Sequence, residues 1–389
     1  MTTTLKKEIT EELYHILDFW GENTVDLEYG GFYGEINNSL EINKKADKSL
    51  VLNARLLWSF SAGYIQTQKE EYLTLAKRAY NYLIQYFLDP EYGGFYWAVD
   101  YKGNLTSDRK QTYAQGFAIY GLSEYYRAST DNTALKHAID CYEVVKKYTY
   151  DNDHKGYIEA LDRKWQSIDD MRLSEKDANF PKSMNTHLHI LEPFTNLYRV
   201  WKNTQLKEDI SELIDIFSNN ILNKKNTHLD LFFEMDWQTP ASVISYGHDI
   251  EGAWLLDEAA QIIGEKKEAT KSIAMKMVDT CLVEGFAKNG AVLNELEEGQ
   301  LHKDFDWWPQ AEALVGLVMA YNYSQDQVYM DQALLTWEYI KKQIIDTEKG
   351  EWFWGREADG SVKDTYKAGF WKCPYHNSRA CIEVINRLN

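Results

Sequence analysis

Tyr29–Glu35 reads YGGFYGE, and Tyr92–Asp100 reads YGGFYWAVD. In each, a two-glycine turn leads into alternating aromatic residues and then an acid, the pattern of a short strand or hairpin. Weaker copies follow at Lys155–Asp162 (KGYIEALD), His228–Asp236 (HLDLFFEMD), Asn289–Glu297 (NGAVLNELE) and Lys349–Glu357 (KGEWFWGRE). The copies recur every ~60–70 residues, an internal repeat that sets the architecture.

Two helical segments separate successive copies. Lys69–Leu88 carries Tyr72, Leu75, Ala76, Ala79, Leu83 and Phe87 at helical spacing, with a polar opposite face. Leu50–Tyr64, Tyr113–Tyr126 and Ala313–Tyr321 are apolar nearly all round, which marks helices buried on most sides. The pattern predicts inner helices over 49–65, 111–127, 183–201, 247–263, 308–323 and 371–388. It predicts outer helices over 5–20, 69–88, 132–150, 205–223, 266–285 and 327–346. The expected fold is all-α, an (α/α)6 barrel with short β-hairpins at the inner-helix N-terminal end, as one domain over residues 1–389. An open superhelix of helix pairs is the alternative. Closure is favoured because neither end shows a polar capping unit, and the six prolines and the lack of low-complexity runs leave no linker.

Composition narrows the function classes. The net charge is −18, with acids spread along the whole chain, which argues against nucleic acid or an anionic membrane as partner. No stretch reaches the ~18 apolar residues of a membrane span, and Met1–Ile9 has no apolar signal core. Cys141, Cys281, Cys373 and Cys381 form no CxxC pair, so a disulfide framework or zinc knuckle is not expected. The expected compartment is the cytoplasm. Thirteen Trp, 27 Tyr and 15 Phe fit either an aromatic core or stacking platforms for sugar rings, and composition does not separate the two.

Each repeat motif precedes an inner helix, so all six inner N-termini should open on one end of the barrel. Polar residues gather there. Arg55 lies in an apolar stretch, and Tyr113 opens the second inner helix. The third carries Asn185, His187, His189 and Glu192; the fourth His248 and Glu251; the fifth Trp307, Trp308 and Glu312; the sixth Trp371, His376 and Arg379. Each has a structural reading beside the functional one. A histidine near a helix start is commonly a capping hydrogen-bonder, a buried arginine must be paired anyway, and the tryptophans could be core. Glu251 follows His248 by three residues, so it could fix that imidazole's tautomer or be an ordinary helix-face pair. His187 and His189 point ~200° apart on a helix and cannot chelate one ion together. A catalytic metal would have to draw on His189, His248, His376 and Glu251 instead. The sequence contains no GxSxG elbow, Walker loop or dinucleotide fingerprint.

At Asn53–Trp58 (NARLLW), Met184–Glu192 (MNTHLHILE), Ser245–Glu251 (SYGHDIE), Trp307–Ala313 (WWPQAEA) and Phe370–Asn377 (FWKCPYHN) the sequence resembles the N-acylglucosamine 2-epimerase superfamily, within it the cellobiose 2-epimerase group. The resemblance spans essentially the whole chain. It implies an (α/α)6 barrel, no cofactor and no metal. It places the family's acid/base histidines on His248 and His376 and its third active-site histidine on His189. Its other pocket residues fall on Arg55, Tyr113, Asn185, Glu251, Trp308 and Trp371. The implied partner is a small-molecule oligosaccharide, with no nucleic acid and no membrane, and the chain is expected to act as a monomer or weak oligomer.

The residue types suit inversion at C2 of a reducing sugar. Ring opening makes the C2 proton acidic, and its removal gives an enediolate. One histidine on each face can then take and return a proton at neutral pH. Arg55 would stabilise the charge at O1, and the tryptophans would hold the rings. An aldose–ketose isomerase or an N-acylglucosamine or mannose 2-epimerase could use the same set. A glycoside hydrolase would need a carboxylate pair, for which Glu251 and Glu312 are the candidates, and a sugar-binding protein would not need the histidines.

Overall fold

The computed structural model describes residues 2–239 and 243–388. Among these, the chain forms twelve α-helices in strict alternation: α1 (Thr2–Asn23), α2 (Leu50–Thr67), α3 (Glu70–Tyr86), α4 (Thr112–Ser129), α5 (Asn132–Thr149), α6 (Met184–Val200), α7 (Thr204–Ile216), α8 (Tyr246–Ile263), α9 (Lys267–Glu284), α10 (Trp307–Ser324), α11 (Gln327–Tyr339) and α12 (Tyr375–Arg387). Helices α7 and α11 each widen into a π turn, over Phe217–Ile221 and Ile340–Ile344.

The even-numbered helices pack in a closed ring, α2 on α4, α4 on α6, α6 on α8, α8 on α10, α10 on α12 and α12 back on α2. The odd-numbered helices form the outer layer; α1, for example, packs on α12 and α2. This is the (α/α)6 barrel, closed rather than open. Burial follows the sequence pattern. All of Leu50–Gly63 is buried, whereas α3 buries one face through Tyr72, Ala76, Ala79, Tyr80, Tyr82 and Leu83.

The strands add one detail to the expectation. Each Gly-turn motif closes a single bridge across its own turn, such as Val25 with Phe32 or Leu88 with Phe95, and in two units its strand continues into a hairpin, residues 98–99 with 105–107 and 296–297 with 300–301. The longer pairing runs between units: residues 48–49 pair with 98–99, 110–111 with 160–161, 182–183 with 232–233, 243–245 with 295–297, and 305–306 with 355–356. Residues 366–368 then return to 36–37 and close the circle. The motif strands therefore form short hairpins and also stitch neighbouring repeats together. Gly31 turns the first motif with φ +62°, and a Cβ there would lie 2.6 Å from the Tyr82 ring.

Buried ion pairs fix the stitches. Lys48 meets Asp26 at 2.7 Å, Lys110 meets Asp89 at 3.0 Å, Lys182 meets Asp151 at 2.8 Å, and Lys367 meets Asp346. Each ammonium also donates to a carbonyl of its motif, at Gly30, Gly93, Lys155 or Gly350. A buried charge is tolerated when its donors are used in this way. The sixth inner helix starts at Tyr375 rather than 371, because Pro374 sits at its cap and residues before it form a turn. Trp371 therefore lies on a loop, not on a helix. No helix among the described residues is long and apolar enough to cross a membrane.

Candidate active site

The inner-helix N-termini surround a cavity of about 680 Å³, lined by Arg55 of α2, Tyr113 of α4, Asn185 and His189 of α6, His248 and Glu251 of α8, Trp307 and Trp308 of α10, His376 of α12 and the preceding Trp371. The nine residues that the family resemblance marks all line it, whereas His187, Glu192, Glu312 and Arg379 do not. A side chamber of about 550 Å³ shares Asn185, His248 and Trp308 with it. Volumes of this order suit a small-molecule ligand.

The histidines differ in their support. His376 Nδ1 lies 2.7 Å from Glu312 Oε1, and His189 Nδ1 lies 3.1 Å from Glu192 Oε2. His248 Nδ1 lies 2.8 Å from Ser245 Oγ, the residue just before α8. In each ring Nδ1 is engaged, which leaves Nε2 as the free nitrogen. Glu251 does not orient His248, contrary to one expectation. Its Oε1 accepts from Arg379 Nη2 at 2.5 Å and lies 3.9 Å from His376 Nδ1, while its Oε2 has no partner. The i, i+3 spacing was right for a shared helix face, but Arg379 offers a stronger partner than a neutral imidazole.

Burial shapes the protonation states. It pushes the His248 imidazole down to about 3, with His189 adding to the effect. It also holds His376 well below the ordinary histidine value, helped by the Arg55 and Arg379 charges. Burial and then the Glu312 charge raise Glu251 to about 7. Burial would raise Glu192 as well, but Arg379 and the His189 hydrogen bond bring it down to about 2.

Arg55 is buried, and among the described residues no carboxylate lies within 4 Å of it. Its Nη2 donates to Tyr113 Oη at 2.6 Å, and its guanidinium lies over Phe117 at 4.1 Å and Tyr375 at 4.6 Å. This is a fixed cation without a neutralising acid, suited to a negative charge developing in the cavity. Trp308 is half-buried between the histidines, with ring centroids 4.6 Å from His248 and 5.7 Å from His376. Trp307 is 4% exposed and packs on Trp354, so it is wall rather than platform. Asn185 presents a buried Oδ1 with no partner.

His187 has the structural role. Its Nδ1 meets the Ser183 carbonyl at 2.6 Å, and its Nε2 accepts from the Tyr157 backbone N–H at 2.8 Å. Gln115 and Gln310 grip their own motifs through Phe95 and Val292 in the same manner. Glu251, Glu312 and His376 bring possible ligand atoms within 4.8 Å of one another. The Arg379 guanidinium already sits on both carboxylates, at 2.5 and 2.7 Å, which fits an ion-pair hub better than a metal cradle. The same tie argues against a glycosidase pair, which needs two carboxyl groups ~5–9.5 Å apart on either side of a sugar.

Sequence reading did not single out Ser245 or Tyr375, nor did it find the segment Leu173–Asp177 that lines the cavity. Ser245 could have been found from its N-cap position before YGHD; the segment carries no comparable signal.

An (α/α)6 barrel whose inner-helix N-termini gather three imidazoles, a buried guanidinium and tryptophan walls offers a pocket suited to a sugar and to proton transfer. A model of the N-acylglucosamine 2-epimerase (GlcNAc 2-epimerase) family matches residues 31–380. The cellobiose 2-epimerase of Bacteroides fragilis is 47% identical over 99% of this chain and 100% of its own length. That of Dictyoglomus turgidum is 40% identical over 99% of each. The structure of cellobiose 2-epimerase from Bacillus thermoamylovorans B4167 superposes with a TM-score of 0.96 at 40% identity, covering 99% of this chain and 100% of that one. The chain belongs to the N-acylglucosamine 2-epimerase family and is an enzyme of carbohydrate chemistry, an epimerase.

Proposed function

We propose that the protein, acting as one catalytic unit, reversibly epimerises C2 of the reducing-end glucose of a β-1,4-linked disaccharide. Cellobiose would give glucosyl-mannose, and lactose would give epilactose. The observation that carries this reading is that His248 and His376 both lie against Trp308 in the cavity, with 4.6 and 5.7 Å between ring centroids. Similarity to cellobiose 2-epimerases over the whole chain supports the substrate class.

The sugar ring opens to the aldehyde, with Trp308 and Trp371 against its faces and Asn185, Tyr113 and His189 on its hydroxyls. The C2 proton is then α to a carbonyl. One imidazole of the pair starts neutral and the other protonated. The neutral Nε2 takes the C2 proton, and a cis-enediolate forms with its charge at O1. Arg55 is the fixed donor for that charge, in a pocket where its attraction is little screened. The protonated imidazole delivers its proton to the opposite face of C2, and the two rings have exchanged charge states. The reverse reaction uses the same steps with the roles exchanged. Burial favours the neutral form of both rings in the empty cavity, so the one working proton is taken up from solvent onto one ring as the substrate binds.

The test is NMR of cellobiose or lactose with the protein in D2O. A 2-epimer carrying deuterium at C2 is the expected product. A ketose labelled only at C1 would identify an aldose–ketose isomerase, and free monosaccharides a hydrolase.

A further inference from the structure

Arg379 is fully buried on α12, beneath the cavity. Its Nη1 donates to Glu192 Oε1 and to the Tyr375 oxygen. Its Nη2 donates to Glu251 Oε1 at 2.5 Å and to Glu312 Oε1 at 2.7 Å. Two of these carboxylates continue to imidazoles: Glu192 to His189, and Glu312 to His376. The path from one ring to the other is thus His189, Glu192, Arg379, Glu312, His376, with a direct hydrogen bond at every link.

We propose that Arg379 is a positioning residue that ties His189 and His376 together, fixing both rings through Nδ1 and leaving Nε2 of each for the substrate. The proposal rests on the reading of His376 as an acid/base group.

The charges explain why a guanidinium is needed. A carboxylate paired only with an imidazole draws a proton onto it. Glu192, Glu251 and Glu312 converge here from α6, α8 and α10. The other groups facing His376 are Arg55 from α2, His189 from α6, His248 from α8, and Tyr375 beside it on its own helix. Arg55 and Arg379 are the cations among them. Arg379 spends its charge on the carboxylates, so neither imidazole is left alone with an anion. Its planar fork also fixes the direction of each carboxylate, which a lysine cannot do for three acids at once. The Tyr375 hydroxyl completes the hub by donating to Glu192 at 2.5 and 2.7 Å.

Arg379→Lys keeps the charge and loses the fork. The double variant Arg379→Met/Glu192→Gln removes one cation and one anion together, which keeps the buried charge balanced should the single change not fold. In each, the ring nitrogens of His189 and His376 are followed by NMR against pH in protein carrying labelled histidine, and kcat/KM is measured on cellobiose across the same range. Both rings are expected to titrate differently from the parent protein. The ratio of kcat/KM at pH 6 to that at pH 8 should change by about threefold or more, the equivalent of half a pKa unit. If His189 or His376 titrates as in the parent in a folded variant, with kcat/KM lowered equally at all pH values, the tie does not exist. The ring titrations do not depend on turnover. Should His376→Ala retain epimerisation, the acid/base reading would fail while the NMR result still decided whether Arg379 couples the rings.

Discussion

His376 Nδ1 sits 2.7 Å from a carboxylate, Glu312 Oε1, while its counterpart His248 reaches only the Ser245 hydroxyl, at 2.8 Å. The two histidines of the proposed pair are therefore not equivalent. A carboxylate fixes the ring's tautomer and stabilises an imidazolium; a hydroxyl can donate or accept and adds no charge. Glu312→Gln is expected to lower kcat/KM by ~10²-fold or more, and Ser245→Ala by ~10-fold, within the range that positioned acid/base groups contribute. Steady-state kinetics on cellobiose checks the order. Equal losses would mean that the carboxylate has no special role.

Gly247 precedes His248 at the start of α8, and a Cβ there would come within 2.6 Å of the Trp308 ring and 2.9 Å of Pro309. Gly247→Ala should push Trp308 out of place while keeping both histidines in the chain. The expected result is a raised KM with circular dichroism unchanged. Trp308→Ala should behave similarly, because the ring is only half-buried. Unfolding of Trp308→Ala would instead mark it as core, where truncating a tryptophan costs ~3–5 kcal/mol.

Much of this was legible in the sequence. The six motifs gave the repeat, and helical periodicity placed the helices to within a few residues, because all-round apolar segments and one-faced ones report inner and outer layers directly. The cavity residues followed from the repeat order. What was not legible depends on contacts between units. The strand pairing of residues 48–49 with 98–99 joins segments ~50 apart, and the Lys–Asp pairs that hold it look like ordinary surface charges in sequence. The partner of Glu251 was misjudged for the same reason. Its nearest neighbour along the helix is His248, but Arg379 comes from α12, 128 residues away.

Chelator treatment followed by dialysis is expected to leave epimerisation intact. The convergent carboxylates Glu251 and Glu312 already neutralise a guanidinium, and inversion by two imidazoles calls for no Lewis acid. Loss of activity restored by one particular ion would overturn this.

Stability should fall between pH ~4.5 and 7. Glu159 is 4% exposed, and burial raises its carboxyl to about 7 despite hydrogen bonds from Ser183 and Thr186. A carboxyl raised in the folded state keeps its proton after the unfolded chain has lost it. Its stabilising contribution is therefore complete below the unfolded value and is lost as pH rises through the folded one. A rise from 4.5 to about 7 corresponds to something on the order of 3 kcal/mol. Thermal unfolding at pH 5 and pH 8 should show a smaller difference in Glu159→Gln than in the parent protein. An unchanged difference would place the pH dependence elsewhere, with Glu251 and Glu12, both also raised to about 7, the next groups to substitute.

The proton-transfer reading is tested most directly by removing each imidazole. His248 and His376 come from different inner helices and both pack on Trp308, and inversion requires a proton to leave one face of C2 and arrive at the other. His248→Ala and His376→Ala should each remove epimerisation by ~10²–10⁴-fold with the fold retained. The double variant should be little worse than either single one, since a pair that must act in sequence fails when one member is missing. The residual chemistry of the two single variants should differ. A variant with one remaining imidazole can still remove the C2 proton and return a deuteron from D2O to the same face. His248→Ala and His376→Ala are therefore expected to show slow exchange at C2, each with only one of the two epimers, and no net inversion. Exchange of the same epimer by both variants would place the histidines on one face of the sugar and end the two-base assignment.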